Sequence, residues 1–474
     1  MKQQNKSTSN QQLLLGIVLA ILTYWLFAQS FLNIGPKVQV TVSTSPDIVN
    51  IAISLTSFVT GVFMVVAGDI SDRYGMLKMT RIALVLSIVG SLLLVVANGV
   101  LLLMMGRIIQ GFSAAILMPA TISMVNYYFE GESRQRALSF WSIGAFGGTG
   151  LSSFFAGSIA TFFNWQMIFI ISIIVSLYAL ILFKNLPAKH YDKQAKVKQF
   201  DLQGLTLFII MIASISFVIT QGYKIGWLSI ITIICLGLFV ICCSLFYYIE
   251  RRQQTPFINL KLFKNKSYIG AVIANFLLNT GVGVIALLNM YIQSGIHLNP
   301  FFAGLITLPY LISLLAVIRL GEKSIKRFGA KRAMIVGPIF TGLGVILFSC
   351  TFLNTTQYIV LALIASVLFG AGTGIFATPA LSTAVSTTDP DKVGVASGIF
   401  KMGSTLGGAF GIAIMTSLFT GVMQSGYSVH VAASVGFIVG SVLVFGAVCT
   451  SAIVIPTRSL KGAAINNKVI EREG

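Results

Sequence analysis

Gly68-Asp69-Ile70-Ser71-Asp72-Arg73-Tyr74-Gly75-Met76-Leu77-Lys78 stands between two long apolar runs. A charged stretch this short, set between membrane spans, must hold two helix ends in a fixed geometry. Gly68 allows two helices to approach closely, and Gly75 allows a turn with positive φ. Asp72, beside Arg73 and near Lys78, is placed to pair with a basic residue or to favour a helix N-terminus.

The runs on either side set the class. Hydrophobic residues make up 56% of the chain and charged residues only 9%. A soluble domain carries about 25% charge, so this is an all-α polytopic membrane protein. Stretches of about 20 apolar residues, enough to cross a bilayer, recur throughout. They predict fourteen spans near 12–34, 48–69, 79–98, 100–124, 134–161, 165–184, 204–222, 226–248, 268–293, 301–320, 333–353, 357–380, 393–420 and 430–455.

A net charge of +19 invites a nucleic-acid reading, which its distribution excludes. With the N-terminus inside, Lys37 and Lys224 are the basic residues of outer loops, and Arg107 and Lys401 lie in spans. The rest fall in inner loops and tails, the positive-inside pattern, so both termini are expected in the cytoplasm. The charge orients the protein and meets anionic lipid. The five cysteines (Cys235, Cys242, Cys243, Cys350, Cys449) fall in or beside apolar spans without ligand spacing to histidine, and read as packing residues without disulfide or metal.

The spans divide as six, two and six. Residues 1–185 read as an N-terminal six-helix bundle and 186–265 as a linker with two inserted helices. Residues 266–460 read as a C-terminal six-helix bundle and 461–474 as a cytoplasmic tail. Pro256-Phe257-Ile258-Asn259-Leu260-Lys261-Leu262-Phe263 alternates apolar and basic residues in a way suited to lying on the membrane surface. Arg73-Tyr74-Gly75-Met76-Leu77-Lys78 recurs loosely as Arg327-Phe328-Gly329-Ala330-Lys331-Arg332, with Lys326 in place of Asp72. Two related halves with a substrate path between them are thus expected.

Inside span four, Arg107 costs about 2.5–3.5 kcal/mol on insertion scales, so it must face a polar surrounding. Gln110 is one turn away, and Gly111 and Ala114 permit close packing. An arginine bonded to backbone carbonyls is the structural alternative. None of the thirteen acids falls at mid-membrane, so a site built for dications lacks its counter-charge. The expected cavity is neutral and polar with buried cations: Gln29, Asn33, Arg107, Asn275, Asn279, Asn289 and Lys401. Zwitterions, anions or hydrophobic monocations suit it better. Lys401, two turns into span thirteen, can exchange protons when desolvated, with Asp69 or Glu322 near the inner mouth; snorkelling or pairing with Asp72 is the alternative. The glycines of that span suit close helix contact. His190, His297 and His430 are scattered, which argues against an enzyme.

The loop from Gly68 to Lys78 resembles the loop 2–3 signature of the major facilitator superfamily, G-x-L-a-D-r-x-G-r-k. Arg107-x-x-Gln110-Gly111 resembles its span-four motif, whose arginine is implicated in proton coupling. Trp165-x-x-Ile168-Phe169, Pro256 to Phe263 and Val395-Ala396-Ser397-Gly398 extend the similarity over nearly the whole chain. The span-five antiporter motif departs from the pattern: its Gly-Pro pair falls on Ser152-Ser153, so any bend must come from glycines. In span one, Leu26 to Pro36 is similar to fourteen-helix drug exporters, but the usual aspartate falls on about Ala28. The chain is most similar to Gram-positive quinolone and multidrug exporters of the drug:proton antiporter branch. This resemblance implies alternating access in a bacterial cell membrane, drug export driven by the proton gradient without another cofactor, and a monomer that needs no protein partner. It implies that Gly68, Asp72, Arg73, Gly75 and Lys78 latch the inner side. A lipid or glycolipid flippase of the same fold is the alternative.

Overall fold

Hydrocarbon offers backbone N–H and C=O groups no water, so each apolar run must close its own hydrogen bonds as a helix. The computed structural model describes residues 2–130, 133, 137, 140–141, 143–184, 201–253, 256–258, 260–386 and 393–456, whose regular structure is helical. Helix α1 (Lys2–Leu22) passes through a π turn (Thr23–Phe27) and a 3-10 turn (Ala28–Ser30) into α2 (Phe31–Val42). There follow α3 (Pro46–Tyr74), α4 (Met76–Val95), α5 (Val100–Tyr128), α6 (Gly148–Phe162) and α7 (Gln166–Phe183). Next come α8 (Leu202–Ile225) and α9 (Ile230–Arg252), the two helices that the sequence expects as an insertion. The remainder is α10 (Lys266–Val282), α11 (Val284–Ser294), α12 (Pro300–Phe328), α13 (Ala330–Phe348), α14 (Thr355–Ser386), α15 (Val393–Gln424) and α16 (Val429–Ile453).

Among the described residues, thirteen helical stretches are long and apolar enough to cross a membrane. The expected fifth span, 134–161, falls partly outside them; its described part is a π turn (Ile143–Gly147) running into α6. That π turn contains Gly144 and Gly147 and no proline.

The first span differs from its expected 12–34: the apolar helical stretch runs from Gln11 to Val42. Pro36 does not end it, and Lys37, expected in an outer loop, lies within α2 and donates to the carbonyl of Ala160. Lys224 likewise belongs to the last turn of α8, where a cation complements the helix dipole.

The internal repeat is the same turn made twice. Gly75 joins α3 to α4 at φ 101°, and Gly329 joins α12 to α13 at φ 82°.

The segment 256–263 does not simply lie on a surface. Phe257 and Ile258 are each only 6% exposed, and the Phe257 ring stands 5.4 Å from that of Phe208 on α8. The Ile258 amide donates to Glu250 Oε2 at 3.2 Å and the Phe257 amide to Asp201 Oδ2 at 3.4 Å. Two buried carboxylates thus draw the segment's backbone into the base of the α8–α9 hairpin. The sequence alternation showed the apolar residues but not these acceptors.

Contacts group the chain into two units. One comprises Met1–Lys198, Ile285–Leu311 and Ile412–Ala433; the other comprises Gln199–Val284, Ile312–Gly411 and Ser434–Gly474. The first unit holds cores around Leu84, Leu117 and Phe183, and around Phe31, Trp165 and Phe169. The second is centred on Tyr268, Met334, Phe376 and Phe400.

Candidate functional site

In the first unit, α5 carries Arg107 into the apolar interior, where it is 1% exposed. Its Nε donates to the Ala52 carbonyl at 2.8 Å and its Nη2 to that of Ile53 at 3.2 Å. Its Nη1 donates to the Ala28 carbonyl at 2.9 Å and to Gln110 Oε1 at 3.0 Å. The guanidinium carbon stands 4.4 Å from the centroid of the Phe31 ring. The geometry has local causes. Ala28 opens the 3-10 turn between α1 and α2, where the regular helical ladder is interrupted. Gly111 brings α5 against α3, for a Cβ there would meet Val59 at 2.7 Å and the Thr56 carbonyl at 2.9 Å. Every acceptor of Arg107 given above is a neutral oxygen, so a positive charge is fixed among the Ala28–Ser30 turn, α3 and α5.

Neutral polar groups surround it. Gln110 Nε2 donates to Ser91 Oγ at 3.3 Å. Gln29 Nε2 donates to Ser57 Oγ at 3.2 Å, and Tyr24 shares a hydrogen bond with the same hydroxyl.

A second cluster of the same unit forms around Asn33. Its Nδ2 donates to the carbonyls of Ser153 at 2.5 Å and Pro300 at 2.9 Å. Gln293 Nε2 donates back to Asn33 Oδ1 at 3.1 Å and to its carbonyl at 3.0 Å. Asn289 Nδ2 donates to Ser153 Oγ at 2.9 Å, while its Oδ1 is buried without a partner among the described residues. Helices α2, α6, α11 and the start of α12 therefore meet at one polar joint. Gly304 makes the approach possible: a Cβ there would meet the Ser153 carbonyl at 2.6 Å and Phe154 Cα at 2.5 Å.

In the second unit, Asn275 Nδ2 donates to Ser404 Oγ at 2.6 Å and to the Phe400 carbonyl at 3.0 Å. Asn279 Nδ2 donates to Asn275 Oδ1 at 3.0 Å. These amides tie α10 to α15 beside the half-buried Lys401, whose carbonyl accepts from Thr405 at 3.1 Å. Gly407 places α15 against α10, since a Cβ would meet the Phe276 carbonyl at 2.5 Å. A Cβ at Gly398 or Gly408 meets nothing within 4 Å, so only part of the glycine set serves close packing.

The Gly75 amide donates to the Ser71 carbonyl at 3.0 Å and its φ is 101°, as the turn required. Gly68 is a correction. A Cβ there would lie 3.6 Å from Pro119, an ordinary contact, so no close approach depends on it. Lys78 is exposed. The side chains of Asp69, Asp72, Arg73 and Glu322 lie outside the described residues.

The sequence family described as the Major Facilitator Superfamily matches residues 13–412 and 269–464. The chain belongs to the major facilitator superfamily. Among curated relatives, quinolone resistance protein NorB of Staphylococcus aureus strain MRSA252 is 44% identical over 424 residues, covering 87% of this chain and 91% of its own. The protein of the same name from strain Newman gives the same identity and coverage. Solved structures agree in fold. The nucleoside transporter NupG has a TM-score of 0.63 at 15% identity, covering 93% of this chain and 98% of its own. A peptide transporter POT in complex with sulfate reaches 0.67 at 15%, covering 94% and 96%.

This major facilitator protein is a transporter of a multi-pass bacterial membrane class and not an enzyme. Sequence reading had singled out Asn33 and Asn289 but missed Ser153 and Gln293, which join them. Ser153 had been met only as a departure from the antiporter motif, and Gln293 sits at a span end where a glutamine is unremarkable.

Proposed function

We propose that this transporter exports amphiphilic drugs, quinolone-like zwitterions and hydrophobic monocations, by alternating access driven by proton entry. The 44% identity to quinolone resistance proteins over 87% of the chain carries this reading. The polar side chains inside each unit support it: Gln110 bonds Arg107 in the first, and Asn275 and Asn279 lie beside Lys401 in the second. In this reading residues 1–185 and 266–460 move as bundles around the inserted helices, both termini face the cytoplasm, and one copy suffices. Arg107, Gln110 and Lys401, with Asp69 and Glu322, take part in coupling. Asp72, Arg73, Gly75 and Lys78 latch the inner side. Gln29, Asn33, Asn275, Asn279 and Asn289 line the substrate path, and the bonds of Asn33 and Asn289 to Ser153 also serve to close one side.

The test is proton release from energised inside-out vesicles on adding a zwitterionic quinolone, a monocationic dye or a dicationic biocide, each beside Lys401→Ala. Proton release with the first two that fades for the dication supports the reading. A wild-type signal whose pH dependence survives in Lys401→Ala removes that residue from coupling. Silence to every drug, with headgroup flipping in the same vesicles, replaces drug export with lipid transport.

A further inference from the structure

A basic site stands apart from the Arg107 cluster, where α4 meets the end of α7. Arg81, near the start of α4, reaches over the C-terminus of α7. Its Nη2 donates to the carbonyls of Phe183 at 2.5 Å and Lys184 at 3.2 Å, while its Nε is buried without a partner among the described residues. The last carbonyls of a helix lack intrahelical donors and carry the negative end of its dipole, which holds the guanidinium in place. Those carbonyls do not neutralise a full positive charge. The exposed Lys184 adds a second one.

Both cations line an open pocket of about 350 Å³ whose remaining walls are Leu177, Leu180 and Ile181. The pocket continues into an apolar surface. On α4, Ile82, Val85, Val89 and Leu92 are exposed at spacings of three or four residues, and on α7 Ile174, Leu177 and Ile181 are exposed in the same rhythm. The two helices pack on each other, and Leu177 and Ile181 belong to both the stripe and the pocket. The apolar spans run Met76–Val95 and Gln166–Phe183, so the cations sit at one rim of the membrane and the stripes run inward from them.

We infer that Arg81 and Lys184 hold the headgroup phosphate of an anionic phospholipid, with an acyl chain laid along α4 and α7. Two cations above a long apolar groove match an anionic amphiphile, and basic pockets between membrane helices at a rim bind such headgroups. A free phosphate would use the cations and leave the stripes unused. A zwitterionic lipid would bring its own cation into a site that already holds two.

The test uses the purified full-length transporter in detergent, titrated with phosphatidylglycerol, phosphatidylcholine or inorganic phosphate. Lipid retention is read by native mass spectrometry and stability by thermal shift. Phosphatidylglycerol should be retained over phosphatidylcholine, and Lys184→Gln should weaken its retention about fivefold, the worth of one cation at a membrane surface. Arg81→Gln should weaken it further; because Arg81 also caps α7, the exposed Lys184 variant decides if the former misfolds. Lys264→Gln, an exposed cation on another segment, should retain the lipid as wild type does. Equal retention of both lipids, or of phosphatidylglycerol by Lys184→Gln and wild type, overturns the site. Stabilisation by inorganic phosphate alone, equal to that by the lipid, makes it an anion pocket and overturns the lipid assignment. None of these readouts depends on drug transport.

Discussion

At Arg107 a lysine keeps the charge and loses the fork. One ammonium cannot reach Ala28, Ala52, Ile53 and Gln110 together, because these acceptors lie around a planar group on three helices. A hydrogen bond to a charged group is worth about 1.5–3 kcal/mol, so losing two is felt even in a well-packed bundle. Arg107→Lys should therefore cut drug transport in vesicles by about tenfold or more with membrane levels little changed, and full transport by the lysine variant would show that charge alone matters there. The two loop glycines make a sharper contrast. Gly75 holds φ 101°, where a side chain costs about 1–3 kcal/mol, whereas a Cβ at Gly68 meets only an ordinary contact. Gly75→Ala should lower the melting temperature of the purified protein clearly, and Gly68→Ala should leave its stability within about 0.5 kcal/mol of wild type.

Among the described membrane-length helices α9 is the least covered, for only 17% of its apolar stretch is buried, against 72% for Lys266–Ser294. The base of the α8–α9 hairpin is held by Phe257 and Ile258, which leaves the hairpin dependent on a short segment. Phe257→Ala removes a ring packed on Phe208, a change that costs about 3–5 kcal/mol in a closed core. Limited proteolysis should then cut near residues 253–260 several times faster, and an unchanged rate would mean the hairpin holds without that ring. This element also marks the limit of sequence reading. A glycine or arginine inside an apolar run is conspicuous, so the Gly75 turn and the Arg107 position were legible, as were most span boundaries. Asp201 and Glu250 were counted as inner-side acids like any others. Nothing in their spacing said that both would be buried as acceptors for a segment several residues away. The extension of the first span through Pro36 to Val42 was hidden for a related reason: its Lys37 finds a carbonyl on α6, which no local pattern encodes.

For the whole molecule, alternating access requires that contacts closing one side break when that side opens. The joint of α2, α6, α11 and α12 is suited to this, since it is built of neutral hydrogen bonds. Each is worth only about 0.5–1.5 kcal/mol net, strong enough together to hold and weak enough to exchange. Asn33→Ala deletes its side-chain bonds to the Ser153 and Pro300 carbonyls and the one its Oδ1 accepts from Gln293 Nε2. A shift of about 1.4 kcal/mol toward the open joint corresponds to tenfold in its population. The readout is a cysteine placed at Ala156 of α6, which is 0% exposed with the joint closed, in a background lacking the five native cysteines. Labelling of Ala156→Cys by a membrane-impermeant maleimide should quicken about tenfold when Asn33→Ala is added, and net export should fall as the joint no longer closes. Gly304→Val should act in the same direction by sterics, since its side chain would strike the backbone of Phe154. If both variants leave the labelling rate where it was, the joint is fixed packing within the first unit, and the moving contacts lie elsewhere.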